Sequence, residues 1–194
     1  MVLQEEIFEK AHYDIIVAGG GVGGAAAAVQ AAREGKRVLL VEKSQKLGGL
    51  ATLGLVNFFD PMCNGRGKQI IFGMAEEMLR LSIKYGYGGV DPAFENGRIP
   101  DEKLAEYKAN GHQPPRYMTK FSAEIFALTL TELCHDAGVD IMFDSIVSRA
   151  VTTSEGGKTK ILGVVLENKS GREYFTADMF VDATGDGDLM YRAG

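Results

Sequence analysis

Residues 13–42 carry the pattern that most restricts how this chain can fold: a short apolar run, a glycine cluster, an alanine-rich segment and a second apolar run. Residues 15–17 are β-branched and apolar, as expected for a strand that is covered on both faces of a parallel sheet. Gly19, Gly21 and Gly24 then satisfy G-x-G-x-x-G. In such a turn the first glycine permits a tight bend, the second lets a pyrophosphate approach the backbone, and the third lets a helix press against the strand.

The segment that follows the glycines predicts a helix over residues 22–34. It is rich in alanine, which has a high helix propensity and a small side chain that packs closely on a sheet. Gly35 is the expected helix end. The first N–H groups of this helix, at Val22 and Gly23, are expected to face the phosphates of a dinucleotide, because they lack partners within the helix.

The second apolar run, Val38 to Val41, predicts a strand with Glu42 at its carboxyl end, about 20 residues after the glycines. An acid in that place accepts the ribose hydroxyls of a dinucleotide and repels a 2′-phosphate, so NADP is disfavoured. The alternative is an ordinary glycine-rich turn. Strand, turn, helix, strand and acid occur together here, and this combination favours dinucleotide binding.

The composition excludes several other functions. The net charge is −5 and no lysine or arginine cluster stands out, so nucleic acid is not an expected partner. No run approaches the roughly 18 apolar residues of a membrane span, and the first residues lack the features of a signal peptide, so we expect no membrane association and a cytoplasmic location.

Cys63 and Cys134 are far apart and outside any C-x-x-C, so no zinc site or disulfide is expected. The three histidines, His12, His112 and His135, are scattered, and no catalytic acid or base is identified.

Residues 59–120 are predicted to form an excursion or cap-like insert, since glycines and prolines interrupt the periodicity over much of their length. An apolar stripe predicts one helix within residues 64–85, and residues 101–108 predict a short helical turn. Residues 1–12 are predicted to be a tail, with one helical turn around residues 3–8. The apolar stripe that predicts the helix within residues 64–85 consists of Ile70, Ile71, Met74, Met78 and Leu81.

The last third of the chain predicts further α/β structure. An amphipathic helix is expected over residues 120–137 and a strand over residues 139–143. Short strands separated by glycine turns are expected within residues 145–177, and another strand over residues 179–183. The predicted fold class is therefore α/β, a Rossmann-like parallel sheet with helices on both faces and an inserted antiparallel three-stranded meander.

A second glycine pair gives the first resemblance to a known family. The segment E-K-x-x-x-x-G-G-x-x-T stands here as Glu42, Lys43, Gly48, Gly49 and Thr52. It resembles the segment after the second strand in flavoproteins of the glutathione-reductase-like FAD fold. The resemblance implies that the glycine pair and the residues after it, Ala51 and Thr52 among them, pass along the pyrophosphate and flavin, and that Lys43 lies beside the adenosine ribose. A solvent-exposed lysine is the alternative for Lys43. NAD-binding domains do not require this glycine pair, so it favours FAD.

The C-terminal series V-D-A-T-G-D-G-D resembles the second FAD signature of the same family. The resemblance implies that Ala183, Thr184 and Gly185 touch the dinucleotide and that the Asp186 carboxylate accepts hydrogen bonds from ribityl or pyrophosphate-side groups. It also implies that the backbone of Val147 meets the adenine. The alternatives for the series are a plain acidic loop or a metal site, and its spacing is not that of an EF-hand.

The resemblance spans nearly the whole chain and is closest in kind to flavoproteins of the fumarate-reductase and heterodisulfide-reductase type. Those that hold flavin covalently have a histidine after the Gly-Gly turn, where this chain has Leu50 to Leu53, so non-covalent FAD and two-electron transfer are expected. The families continue past the A-T-G-D segment, so we expect an N-terminal FAD-binding part, truncated at its C-terminus, that depends on a missing C-terminal region or a partner chain. The alternatives are a non-catalytic FAD-binding fragment or subunit and an NAD-dependent dehydrogenase. The pattern indicates no substrate and no redox partner.

Overall fold

A computed structural model describes residues 6–194. The described chain forms two compact units, residues 6–50 with 130–194, and residues 51–129. The second unit contains the segment 59–120 for which an excursion was predicted. In the part of the chain that the model describes, no helix combines the length and the apolar character needed to cross a membrane.

The first unit alternates strands and helices in the predicted order. In residues 6–50, the helix predicted over residues 22–34 and the strand predicted over residues 38–41 are present, within one residue of these bounds. Helix α4 leads into the first unit from the second unit. The elements are β1 (Glu9–Ala18), α1 (Val22–Arg33), β2 (Val38–Val41), α4 (Ala123–Asp136), β5 (Asp140–Met142), β6 (Ile146–Glu155), β7 (Lys158–Asn168), β8 (Gly171–Asp182) and α5 (Asp188–Ala193).

One six-stranded sheet carries this unit, in the order β5-β2-β1-β8-β7-β6. Strands β5, β2, β1 and β8 are mutually parallel, whereas β8, β7 and β6 form an antiparallel meander. The predicted fold class is confirmed. Because β2 and β8 both flank β1, the residues after all three strands meet at one edge of the sheet.

Both faces of the parallel strands are covered. On one face Ile16 and Leu39 pack with apolar side chains of the meander and with Leu189 of α5. By strand alternation, Val17 and Leu40 point to the other face. Helix α1, which lies beside β1 and β2 and buries four small residues, covers that face. The alanine-rich sequence of α1 is what allows this close approach.

Two predictions about the first unit need correction. The predicted tail over residues 1–12 is wrong for residues 9–12, because β1 begins at Glu9, where its pairing with Tyr174 of β8 begins. Of the helical turn expected around residues 3–8, residues 6–8 are not helical and the others lie outside the described residues. The strand expected over residues 179–183 is not separate from the meander, since β8 runs unbroken from Gly171 to Asp182.

The second unit has its own small core and a two-stranded antiparallel sheet of β3 (Phe58–Phe59) and β4 (Thr119–Lys120). Its helices are α2 (Met74–Ser82) and α3 (Asp101–Ala109), and α3 matches the predicted turn. The apolar stripe predicted for one helix is wrong at Ile70 and Ile71, which precede α2 and are exposed. Gly73, at φ +68° and ψ −138°, prevents the helix from extending back to them.

Candidate dinucleotide-binding site

The site is built around the turn from β1 into α1. Gly19 has a φ of +97°, which glycine adopts without strain, and its N–H donates to the Val41 carbonyl oxygen of β2 at 2.7 Å. A Cβ added at Gly19 would lie 2.6 Å from the carbonyl oxygen of Ala183, and one at Gly24 would collide with the carbonyl oxygen of Gly19. The first and third glycines are therefore required by the packing of the protein itself.

Gly21 differs from these two glycines. It is the N-cap of α1, with φ −61° and ψ 176°, and a Cβ added there would meet nothing within 4 Å. A Cβ added at Gly23 would likewise meet open space. No side chain caps the N-terminus of α1, so the positive end of the helix dipole faces this open surface. The residues present thus fit a phosphate group that approaches the backbone closely.

The second glycine pair lies against the first. The N–H of Gly48 donates to the carbonyl oxygen of Gly20 at 2.8 Å, and Gly48 and Gly21 form a parallel bridge. Gly48 and Gly49 have φ values of +100° and +50°, and a Cβ added at Gly49 would lie 3.3 Å from the Cα of Gly21. Two motifs that are 27 residues apart in sequence form one glycine-lined surface.

Glu42 is buried beneath this surface and is already engaged. Its Oε2 accepts the N–H of Gly20 at 2.6 Å, while its Oε1 accepts the N–H of Ser44 at 2.8 Å and lies 2.7 Å from the Ser44 hydroxyl. The carboxylate therefore fixes the conformation of the glycine turn. The predicted bond from a ribose hydroxyl would add to these contacts at Oε2, which accepts one bond and has a second lone pair.

The A-T-G turn joins the site from β8. The N–H of Ala183 donates to the Ala18 carbonyl oxygen at 2.8 Å and continues the β1–β8 pairing past Asp182. The Asp182 carboxylate accepts bonds from the backbone N–H and hydroxyl of Thr184, at 3.0 and 2.6 Å, and from the N–H of Met190 at 2.8 Å. Burial works against ionisation of Asp182, but these bonds outweigh it and lower the pKa of the carboxyl.

The remaining residues that were predicted to bind the cofactor differ in their exposure and in the unit to which they belong. Gly185 and Asp186 are exposed, and none of residues 6–194 donates a hydrogen bond to the Asp186 carboxylate, which leaves it available to a ligand. Lys43 is also exposed. Ala51 and Thr52 belong to the second unit, and Thr52 is buried.

Val147 lies near the start of β6, opposite Leu166 and beside an irregularity in the β6–β7 register. Its side chain is buried in the core, which fits a contact made through the backbone alone. Two residues earlier, the N–H of Ser145 donates to the Glu42 carbonyl oxygen at 3.1 Å. The start of β6 is thereby tied to the carboxyl end of β2.

The site offers phosphate-binding backbone groups and acceptors for sugar hydroxyls. Among residues 6–194 no group of three or more histidine, cysteine or acidic side chains is placed to hold a metal ion, and this includes the C-terminal aspartates that were considered as ligands. The reactive chemistry of such a site belongs to its cofactor.

The comparison with protein families agrees with this geometry. Residues 14–194 match the model of the family described as FAD dependent oxidoreductase. The chain therefore belongs to the FAD-dependent oxidoreductases, and FAD is the cofactor of the family. The predictions of an oxidoreductase family and of FAD are confirmed, and FAD is favoured over NAD.

This chain matches only part of the length of its curated relative. A digeranylgeranylglycerophospholipid reductase of Methanocella arvoryzae is 36% identical over 111 residues, which make up 52% of this chain and 28% of the relative. The chain thus spans about a quarter of that curated relative.

Solved structures share the fold at low sequence identity. A geranylgeranyl bacteriochlorophyll reductase-like protein of Thermoplasma acidophilum has a TM-score of 0.56 and 21% identity, over 95% of this chain and 42% of that one. THI4 of Thermovibrio ammonificans has a TM-score of 0.55 and 18% identity, over 93% and 61%. At these identities the likeness shows the fold.

Sequence reasoning missed three residues that shape the site. Ser44 engages Glu42, Leu47 fills the space beside Gly20, and Asp182 organises the A-T-G turn. The series D-A-T contains a local signal, because an aspartate two residues before a threonine often accepts that residue's N–H. Ser44 and Leu47 follow Glu42 without a recognisable spacing rule.

Proposed function

We propose that this chain is the FAD-binding part of a flavin-dependent oxidoreductase, in which FAD is held without a covalent bond and undergoes two-electron transfer. FAD supplies the redox chemistry when it is bound. The residues of this chain bind its phosphates, orient its sugars and exclude bulky side chains from its path.

One observation carries the proposal. Three motifs that are separate in sequence, at residues 19–24, 48–49 and 183–185, surround the N-terminus of α1, and a Cβ added at Gly21, Gly23 or Gly185 would meet nothing within 4 Å. A glycine-rich turn without a ligand would explain Gly19 and Gly24, whose Cβ positions are occupied by backbone. It would not explain Gly21, where any residue fits the protein alone.

The individual contacts extend this proposal. The backbone around Gly21 to Gly24 would hold the pyrophosphate, and Glu42 with Lys43 would lie at the adenosine ribose. Asp186, which is exposed and without a donor among residues 6–194, would accept a hydroxyl of the dinucleotide. The segments at Gly48 and Gly49, at Ala183 to Gly185 and at Val147 would complete the binding surface of the first unit.

Substrate and redox partner are proposed to be bound outside residues 1–194, by further chain or by a partner. The support is that this chain spans 28% of its curated relative and 42–61% of the two solved structures described above. The relative from Methanocella arvoryzae is named as a digeranylgeranylglycerophospholipid reductase, so an unsaturated, largely apolar lipid is the substrate class to test first. Bound FAD, once reduced by an external electron donor, would supply a hydride to one carbon of the double bond while a proton reaches the other, so that the bond is saturated and FAD is oxidised again.

A titration with FAD tests the proposal. The purified chain is expected to quench flavin fluorescence saturably, to keep the flavin through desalting and to release intact FAD after heat or acid precipitation. Flavin that stays with the precipitated protein would contradict the non-covalent mode, and retention of NAD in place of FAD would contradict the cofactor. NAD should serve as the matched competitor in every titration.

We also infer a cytoplasmic location. Both cysteines, Cys63 and Cys134, are free and buried, as is usual in a reducing compartment. Cell fractionation should recover the protein with cytoplasmic enzymes, and recovery from the secreted or membrane fraction would contradict the inference.

A further inference from the structure

We propose that Asp182 is a positioning residue of the dinucleotide site, which fixes the A-T-G turn and the start of β6 through one chain of hydrogen bonds. The inference rests on the proposed function, because the site it serves is that of FAD. Asp182 itself is not placed to touch the cofactor in this assignment.

The position of Asp182 gives it this role. It is the last residue of β8 and lies opposite Ala18, the last residue of β1, immediately before both turns of the site. Ala183 and Thr184 lie close against Gly19. A Cβ added at Gly19 would lie 2.6–2.8 Å from the carbonyl group of Ala183 and the backbone nitrogen of Thr184. A shift of the A-T-G turn by a few tenths of an ångström would therefore move the glycine turn as well.

The carboxylate of Asp182 divides its two oxygens between two segments. Oδ1 accepts the N–H and the hydroxyl of Thr184, and Oδ2 accepts the N–H of Met190 in the first turn of α5. Three accepted bonds to one ionised group hold the turn and the helix in a fixed relation, and such bonds are stronger than those between neutral groups.

The network continues from Thr184 to the edge strand. The Thr184 hydroxyl accepts the N–H of Asp188 at 2.7 Å, and Asp188 Oδ1 accepts from Arg192 at 3.2 Å. The Nε of Arg192 donates to the carbonyl oxygen of Ser148 at 3.2 Å, in the register irregularity next to Val147. Two proposed dinucleotide contacts, at Thr184 and at Val147, are thus connected through α5.

A neutral amide cannot replace this carboxylate. The side chain of asparagine has one acceptor oxygen, and its NH₂ group would face either the Thr184 donors or the Met190 donor. The Asp182→Asn variant must lose one of the two connections while keeping nearly the same volume. The wild-type geometry of the turn is then no longer held from both sides.

FAD titration of the full chain tests the proposal with Asp182→Asn. We expect its dissociation constant to rise about tenfold or more, the scale of one lost charged hydrogen bond, and the visible circular dichroism of the bound flavin to change. The control is Tyr13→Phe, which removes a 3.0 Å bond to Asp140 in the same unit, away from the site. It should bind within about twofold of wild type, because the bond shares no partner with the site and distant, independent sites have little energetic coupling.

A second pair of variants separates positioning from folding. Thr184→Val removes the hydroxyl and should weaken FAD binding, and Thr184→Ser restores the hydroxyl and should recover most of the affinity. The proposal is overturned if wild type binds FAD and Asp182→Asn binds it equally well with an unchanged flavin spectrum. It is also overturned if Thr184→Ser is as impaired as Thr184→Val. Failure of wild type to bind FAD would instead refute the proposed function.

Discussion

Replacement of Gly21 by alanine should leave folding intact while it weakens FAD binding. The backbone of Gly21 has φ −61° and ψ 176°, a conformation open to any residue, and an added Cβ would meet nothing within 4 Å. Glycine to alanine at such a position restricts the unfolded chain, which contributes about 0.4–1 kcal/mol of stability. Alanine is a poorer N-cap than glycine, which opposes this gain by a similar amount. The free energy of unfolding should therefore change by less than about 1 kcal/mol.

The effect on the cofactor has the opposite sign. The methyl group would stand on the surface that the pyrophosphate must approach, and would separate it from the N–H groups at the start of α1. Loss of one hydrogen bond to a charged group costs about 1.5–3 kcal/mol, which corresponds to roughly 10- to 150-fold in the dissociation constant. Gly21→Val should weaken binding further because its side chain is larger.

The assay is a fluorescence titration with FAD beside urea unfolding of the apoprotein. Gly24→Ala is the matched control, with the same chemical change three residues away. Its Cβ would collide with the Gly19 carbonyl oxygen, so it should lose about 1–3 kcal/mol of stability through overpacking. Near-normal FAD affinity of Gly21→Ala, or a large loss of its stability, would refute the assignment of Gly21 to the phosphate surface.

Four further variants or conditions give expected outcomes. Asp186→Ala should weaken FAD binding by about 1.5–3 kcal/mol without a change in thermal stability, and an unchanged dissociation constant would remove Asp186 from the site. Glu42→Gln should lower the stability by about 1–3 kcal/mol, measured by urea unfolding, because an amide cannot accept on both sides from the Gly20 N–H and its other donors. The pKa of Asp182 is lowered in the folded state from its ordinary 3.8, so the stabilisation by its carboxylate is present above that pH and is lost as the pH falls through the folded value. The difference in stability between wild type and Asp182→Asn, followed by thermal unfolding, should therefore shrink on acidification. A difference that grows would contradict this sign. Burial raises the pKa of the Cys134 thiol to about 11, so iodoacetamide at pH 8 should label it only after unfolding, as mass spectrometry of the peptides would show.

The first half of the site could be predicted because its signals are local. A strand, a glycine turn, an alanine-rich helix and a second strand occupy 30 consecutive residues, and each element is favoured by its own sequence. The glycine pair at residues 48–49 and the A-T-G turn required a family resemblance, since nothing local states that they approach Gly19 and Gly21.

The errors arose where tertiary contacts or a single backbone conformation decide the structure. The apolar stripe suggested that Ile70 and Ile71 belong to α2, but the left-handed conformation of Gly73 starts the helix later. The tail was expected to extend over residues 1–12, yet β1 begins at Glu9 because the backbone there pairs with β8. The contact of Glu42 with a ribose stays a prediction, whereas its bond to the Gly20 N–H, which holds the glycine turn, was not predicted.

If the surface around Gly21 binds FAD as proposed, an absorbance spectrum of the purified chain will show the bound flavin. The protein should be incubated with FAD, desalted and scanned, and the supernatant after heat treatment should be analysed for FAD. Flavin absorption bands are expected in the desalted protein and intact FAD in the supernatant, and both should be lost in Gly21→Val. A colourless protein that also fails to quench the fluorescence of added FAD would contradict the proposed binding.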